Sequence, residues 1–237
     1  MSDVLLLHAG IADRRMWAPQ LEALAAAGHH VVAPDLPGFG EAVLQPGTVD
    51  YVAFAAEQLD GPAAVVGCSF GGRIALELAL ARPALVDRLV LVGAALGGWD
   101  WSDGAKAGYA EEEKALERGD HAAAAAAQAR MWLADDATQE VRALTEAMTL
   151  RSYELQIPVE DEVDDVWPDT PAKERLAEVR VPTLVVAGSE DVADIKAIAE
   201  KLAVEIPGAR LETIEGAGHL PSLERPRELN RLLLEFL

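Results

Sequence analysis

The sequence predicts an α/β fold, a mostly parallel sheet with helices on both faces and an inserted run of helices. Three observations carry this. Short apolar runs at 4–7, 63–66, 89–92 and 183–187 recur along the chain, as strands covered on both faces require. Helical segments of about ten to fifteen residues separate them, which implies parallel strands joined by right-handed crossovers. Between Trp99 and Arg180 the alternation stops and helical patterns follow one another without a convincing strand.

In order, strand 4–7 ends in the small-residue turn His8-Ala9-Gly10-Ile11. A helix is expected over 17–27, with Leu21, Leu24 and Ala25 at helical spacing and Gly28 as its stop. Strand 30–33 runs into the turn cluster Pro34-Asp35-Leu36-Pro37-Gly38-Phe39-Gly40. A helix over 49–59 precedes strand 63–66. The next helix turns Ile74, Leu78 and Ala81 inward and stops before Pro83. Strand 89–92 follows, with Gly93, Gly97 and Gly98 beyond it.

In the inserted stretch, helices are expected over 105–118, 122–134 and 139–155, with Asp103, Asp120 and Asp136 as N-caps. A short helix opens at Thr170 and Pro171. The acidic run from Glu160 to Asp165 reads as a solvated loop, because no histidine or fixed ligand spacing accompanies it to make a metal site. The alternation resumes with strand 183–187, helix 194–202 and strand 211–214. The last helix, 226–237, carries Leu229, Leu232, Leu233 and Phe236 on one face. Residues 1–98 and 181–237 are therefore expected to form the core, and 99–180 a helical cap over the sheet's C-terminal edge.

Bulk composition narrows the function classes. Forty acidic against twenty basic residues give a formal net charge of −20, which disfavours nucleic acid and anionic membranes as partners. No apolar run approaches the roughly 18 residues of a membrane span. The start of the chain has no basic segment or cleavage site, and the single cysteine, Cys68, precludes an internal disulfide. A cytoplasmic location is expected.

The chemistry is expected at Gly67-Cys68-Ser69-Phe70-Gly71-Gly72, where an apolar run passes through Gly-x-Ser-x-Gly directly into a helix. Strand, sharp turn and helix are the context a nucleophile elbow needs. The turn strains the serine backbone and leaves no room for side chains at Gly67 and Gly71, while Gly72 lets the helix approach the sheet. Cys68, at a variable position of the motif, reads as a small buried apolar residue. A serine hydroxyl needs a base, usually a histidine held by a carboxylate. Of five histidines, His219 lies in a Gly-rich loop just past a strand, where an exposed imidazole belongs. His29 and His30 begin a strand, His121 lies in the Ala-rich helix, and His8 suits a structural role at its turn. For the carboxylate, Asp191 in Gly188-Ser189-Glu190-Asp191 follows a strand and completes the order Ser, Asp, His. Glu190 and Asp194 are alternatives, with Asp100 and Asp103 more distant ones.

Taken together, the His8-Ala9-Gly10 turn, the 35–40 cluster, the elbow, the Gly188–Asp191 loop and Gly218-His219 resemble an α/β-hydrolase with a small helical cap, close to the esterase and enol-lactone hydrolase branch. The resemblance spans nearly the whole chain except the cap. It implies catalysis by Ser69, Asp191 and His219 and an oxyanion hole formed by the Phe70 N–H with Gly10, or alternatively Ile11. It also implies no cofactor and no metal. Ala9 stands where the family carries glycine, and the chain begins at what corresponds to the family's third strand, the leading pair being absent or vestigial. A serine at the elbow excludes the sister activities that use aspartate. Ile11, Trp99, Trp101, Trp132 and Trp167 are candidate pocket residues, a roof for an apolar or aromatic small-molecule substrate. The same triad could cleave a C–C bond in a diketone, an amide or a peroxyacid, or the fold could bind a ligand without turnover.

Overall fold

In the computed structural model, which describes residues 2–237, the apolar runs become neighbouring strands of one sheet. Along the chain come β1 (Asp3–Leu7), α1 (Ala18–Ala26), β2 (His30–Val32), β3 (Gly47–Val49), α2 (Tyr51–Glu57), β4 (Ala63–Cys68), α3 (Phe70–Ala81) and β5 (Val86–Val92). Three helices follow: α4 (Asp103–Glu117), α5 (His121–Trp132) and α6 (Gln139–Gln156). The chain continues through β6 (Val163–Asp165), β7 (Thr183–Gly188), α7 (Ala193–Glu205), β8 (Arg210–Ile214), α8 (Pro221–Glu224) and α9 (Pro226–Phe236).

The six-stranded sheet has the order β2-β1-β4-β5-β7-β8, with every pair parallel. Alternation along each strand sorts the core into two layers. Leu5, Leu7, Val65, Leu89 and Leu91 face α3 and α7 through Ile74, Leu78, Ile198 and Leu202. Leu6, Val66, Val90, Val92 and Val186 face α1 and α9 through Leu24, Leu229 and Leu233. Strand order reverses between β1 and β4, and such a switch point opens a crevice beyond the strands' C-terminal ends. The loops after β1 and β4, carrying Gly10 and Ser69, meet there.

Of the three helices, α6 lies across the loops after β1 and β2. Thr149 Oγ1 donates to Ile11 O (3.0 Å), Arg151 Nε to Gly40 O (2.9 Å) and Gln156 Nε2 to Gly38 O (3.0 Å). Each acceptor sits past β1 or β2. Among the described residues, no helix is long and apolar enough to cross a membrane.

Several local expectations need correction. The acidic run contains β6, which pairs in parallel with β3 (Gly47 opposite Val163, Val49 opposite Asp165). Neither three-residue strand has an apolar pattern of its own, so its extended form is decided by its partner. For the same reason the helix expected over 49–59 starts only at Tyr51. Val49 is in β3, and Asp50 caps α2 by accepting from the amides of Val52 (3.0 Å) and Ala53 (2.9 Å). Asp120 caps α5, but Ser102 caps α4 and Thr138 caps α6. Asp136 instead accepts from Arg225 Nη2 at both carboxylate oxygens (2.9 Å each). Residues 172–178 form two 3-10 turns in place of a short α-helix.

Candidate active site

Ser69 links the end of β4 to α3. Its N–H donates to Val92 O (3.0 Å), and its φ of 52° makes it the only non-glycine residue with positive φ among the described residues. A Cβ at Gly67 would fall on Gly71 O, and one at Gly71 on Leu7 O, so backbone fills the space where side chains would otherwise be. These contacts hold the serine in a conformation L-residues rarely adopt.

The loops after β7 and β8 bring Asp191 and His219 together. Asp191 Oδ2 accepts from His219 Nδ1 at 2.8 Å with both side chains fully enclosed, and Asp191 Oδ1 accepts from the Val192 amide (2.8 Å). A carboxylate can only accept, so Nδ1 is the donor of this bond. One backbone and one side-chain bond lock the two loops: Glu190 N–H donates to Ala217 O (2.9 Å), and Gly216 N–H to Ser189 Oγ (2.9 Å). Gly93 permits the pair its position against β5, since a Cβ there would stand 3.2 Å from Asp191 Oδ2 and 3.3 Å from His219 Nδ1. The imidazole is also held from the helical side. His219 N–H donates to Trp132 O (2.8 Å), and the Trp132 ring lies over it at 4.2 Å between centroids. Buried Glu224 accepts from the amides of Ala134 (2.8 Å), Gly218 (3.0 Å) and Leu220 (2.9 Å), pinning this loop to the end of α5.

The rival groups lie elsewhere. Glu190, Asp100 and Asp103 are exposed. Asp194 is buried but accepts from Trp99 Nε1 (3.0 Å), the Ser102 amide (3.0 Å) and Ser102 Oγ (2.6 Å). The Ser102 hydroxyl is the main reason its pKa falls below the usual carboxylate range. His8 accepts the Leu36 amide at Nε2 (2.9 Å) and donates from Nδ1 to Ala9 O (2.9 Å), and burial lowers its pKa. That leaves His8 a neutral strut. Cys68 is enclosed, with Sγ 3.6 Å from His219 O, and burial pushes its thiol well above the ordinary range.

Ser69 and His219 open onto one cavity of about 380 Å³, shared with Gly10, Ile11 and Phe70. The Gly71 amide is taken by His8 O (3.0 Å), whereas the Phe70 amide at the head of α3 has no backbone acceptor among the described residues. A Cβ on Gly10 would lie 3.6 Å from Phe70 Cβ, so the two residues are neighbours. Ala9 is enclosed and donates its amide to Met16 Sδ (3.3 Å).

Of the candidate pocket residues, Ile11, Trp101 and Trp132 line the cavity. Trp99 and Trp167 do not. Trp99 is held by Asp194, and Trp167 packs behind the wall against Tyr51 and Phe70 (6.1 and 5.9 Å between centroids). The lining also holds polar groups that the sequence does not single out: Arg73, Glu112, Gln128, Gln156 and Asp165. Glu112 accepts from Tyr153 OH (2.5 Å) and from Gln128 Nε2, and Gln128 Oε1 accepts from Trp132 Nε1 (2.7 Å). Burial raises the Glu112 carboxyl. Arg73 had a legible signal, since four residues past the serine on one helix is the next turn of the same face. Glu112 and Gln128 had none.

A family model described as the alpha/beta hydrolase family matches residues 4–232. RutD of Azorhizobium caulinodans, named for a carbamate hydrolase, is 31% identical over 98% of this chain and 90% of its own length. A pimeloyl-[acyl-carrier protein] methyl ester esterase of Aromatoleum aromaticum is 30% identical over 95% of this chain and 94% of its own. The enol-lactonase of Burkholderia xenovorans LB400 superposes with a TM-score of 0.79 at 23% identity, covering 99% of this chain and 90% of that one, and shares its fold.

Proposed function

The chain belongs to the alpha/beta hydrolase family and is a hydrolase, and from that premise we propose that it cleaves a small carboxylic ester or lactone through an acyl-enzyme. Ser69 Oγ attacks the carbonyl carbon while its proton passes to His219 Nε2, and Asp191 stabilises the imidazolium. The amides of Phe70 and Gly10 bind the oxyanion. As the intermediate collapses, His219 gives its proton to the leaving alkoxide. A water then loses its proton to His219 and attacks the acyl carbon, releasing the acid and restoring Ser69. Residues 99–180 act as a cap that shapes the substrate pocket. A cytoplasmic location belongs to the same reading, supported by the single enclosed cysteine.

The observation that carries this reading is the 2.8 Å bond between enclosed Asp191 and His219 beside the one strained serine, on one cavity. A fluorophosphonate is expected to label Ser69 in the folded protein, and Ser69→Ala to lower kcat on p-nitrophenyl esters by on the order of 10³-fold or more. Failure of Ser69 to label would overturn the assignment. The similarity to a named carbamate hydrolase favours a second reading in which the same groups cleave an N-linked carbonyl. Faster turnover of aryl carbamates than of matched aryl esters would select it.

A further inference from the structure

Arg73 sits one turn along α3 from Ser69, its amide donating to Ser69 O (3.0 Å). Its side chain lines the same cavity as Ser69 and His219. The guanidinium carbon lies 3.5 Å from the centre of the Trp167 ring, which fixes the plane of the group without using any of its N–H donors. Among the described residues, the Arg73 side chain makes no hydrogen bond and no ion pair, and its Nε is fully enclosed without a partner. Glu77 on α3 and Asp165 on β6 are the counter-charges it feels, and neither forms a hydrogen bond or ion pair with it.

The cavity's Glu112 contrasts with this. Both oxygens of Glu112 are occupied, by Tyr153 OH and Gln128 Nε2. Glu112 is saturated while the one guanidinium of the lining is idle. Enclosing a charged donor without an acceptor is costly, and guanidinium geometry suits the two oxygens of a carboxylate.

We propose that Arg73 is the subsite for a carboxylate on the substrate, so that the preferred ester or lactone carries a free acid group that the guanidinium grips while the scissile carbonyl lies at Ser69. This rests on the hydrolytic reading of Ser69 and names the substrate class for it. Trp167, behind the cavity wall, acts as the platform that holds the fork in plane. The protein's net charge of −20 would repel such a substrate at long range, so a preference for it must come from a local contact.

The test compares matched esters at about 0.15 M salt, where long-range steering is screened. Mono-p-nitrophenyl glutarate is set against p-nitrophenyl valerate, and 4-acetoxybenzoate against its methyl ester, to carry the acid on either side of the scissile bond. At least one charged member is expected to exceed its neutral counterpart about tenfold in kcat/KM. Arg73→Gln should bring that ratio close to one, and Arg73→Lys should restore part of it. Calorimetry on Ser69→Ala, which needs no turnover, should show saturable binding of monomethyl glutarate that is lost in Ser69→Ala/Arg73→Gln, with unfolding curves confirming that both variants fold. Turnover without a charged preference, or a preference that survives Arg73→Gln, overturns the subsite and leaves the hydrolytic reading standing. Binding of monomethyl glutarate that depends on Arg73, in a protein that turns over no ester, would do the reverse.

Discussion

The two walls of the cavity are held in place differently. On the sheet side, Ser69, Asp191 and His219 sit on loops whose geometry is set by backbone packed on backbone, as at Gly67, Gly71 and Gly188, where an added Cβ would overlap a carbonyl oxygen. On the helical side, Trp132 is held by a relay of side chains, from Tyr153 through Glu112 and Gln128. Backbone packing leaves almost no room for substitution. A side-chain relay can be rewritten one residue at a time.

The sharpest way to break this contrast is to make the same substitution on both sides. Gly71→Ala drives a methyl into Leu7 O and should cost about 3 kcal/mol or more, seen as loss of the folded protein or of most of its denaturant midpoint. Gly104→Ala in α4, where the nearest atom to a Cβ is Ser102 Oγ at 3.6 Å, should instead stabilise by up to about 1 kcal/mol. Equal effects from the two variants would erase the distinction.

A middle-sized effect is expected from Gln128→Leu, which strands the Trp132 indole N–H and one Glu112 oxygen. The cost should be about 1–3 kcal/mol in stability, with kcat/KM falling up to about tenfold as the ring over His219 loosens. Unchanged kinetics would show that the relay does not set the Trp132 position.

The smallest effect concerns the joint between the walls. Asp194 holds Trp99 and Ser102 at the start of α4, and those bonds lower its pKa. A depressed carboxylate pKa adds stability above the unfolded value, and this is lost as pH falls through the folded value. Hydrogen exchange in α4 should therefore quicken selectively in the acid range, below about pH 4. In Asp194→Asn it should be fast at neutral pH and gain little further on acidification. Exchange that quickens equally in α3 and α4 would count against this joint.

How much of this was legible in the chain follows from the same contrast. The six sheet strands, the elbow and the loops holding Asp191 and His219 could be read because each depends on a few consecutive residues: an apolar run, a glycine where a carbonyl approaches, a polar loop after a strand. The choice among Asp191, Glu190 and Asp194 could not be read as surely, since all three fall close together where β7 gives way to α7 and differ in what lies opposite. Asp194 turned out to face Ser102, distant in the chain. The pairing of β3 with β6 was invisible for a similar reason, because Val163 to Asp165 is extended only beside Gly47 to Val49.

By itself the sequence determined the α/β order, the strand–turn–helix that carries Ser69, and which residue types stand around it. These follow from local periodicity and from backbone sterics acting over a handful of residues. Only the tertiary structure decided that Trp101 and Trp132 line the cavity while Trp99 and Trp167 brace it, and that Arg73 lies there unpaired while Glu112 is saturated. Membership of a pocket depends on which faces of distant helices cross which loops. That is settled by packing summed over the whole core, which no short stretch of chain encodes.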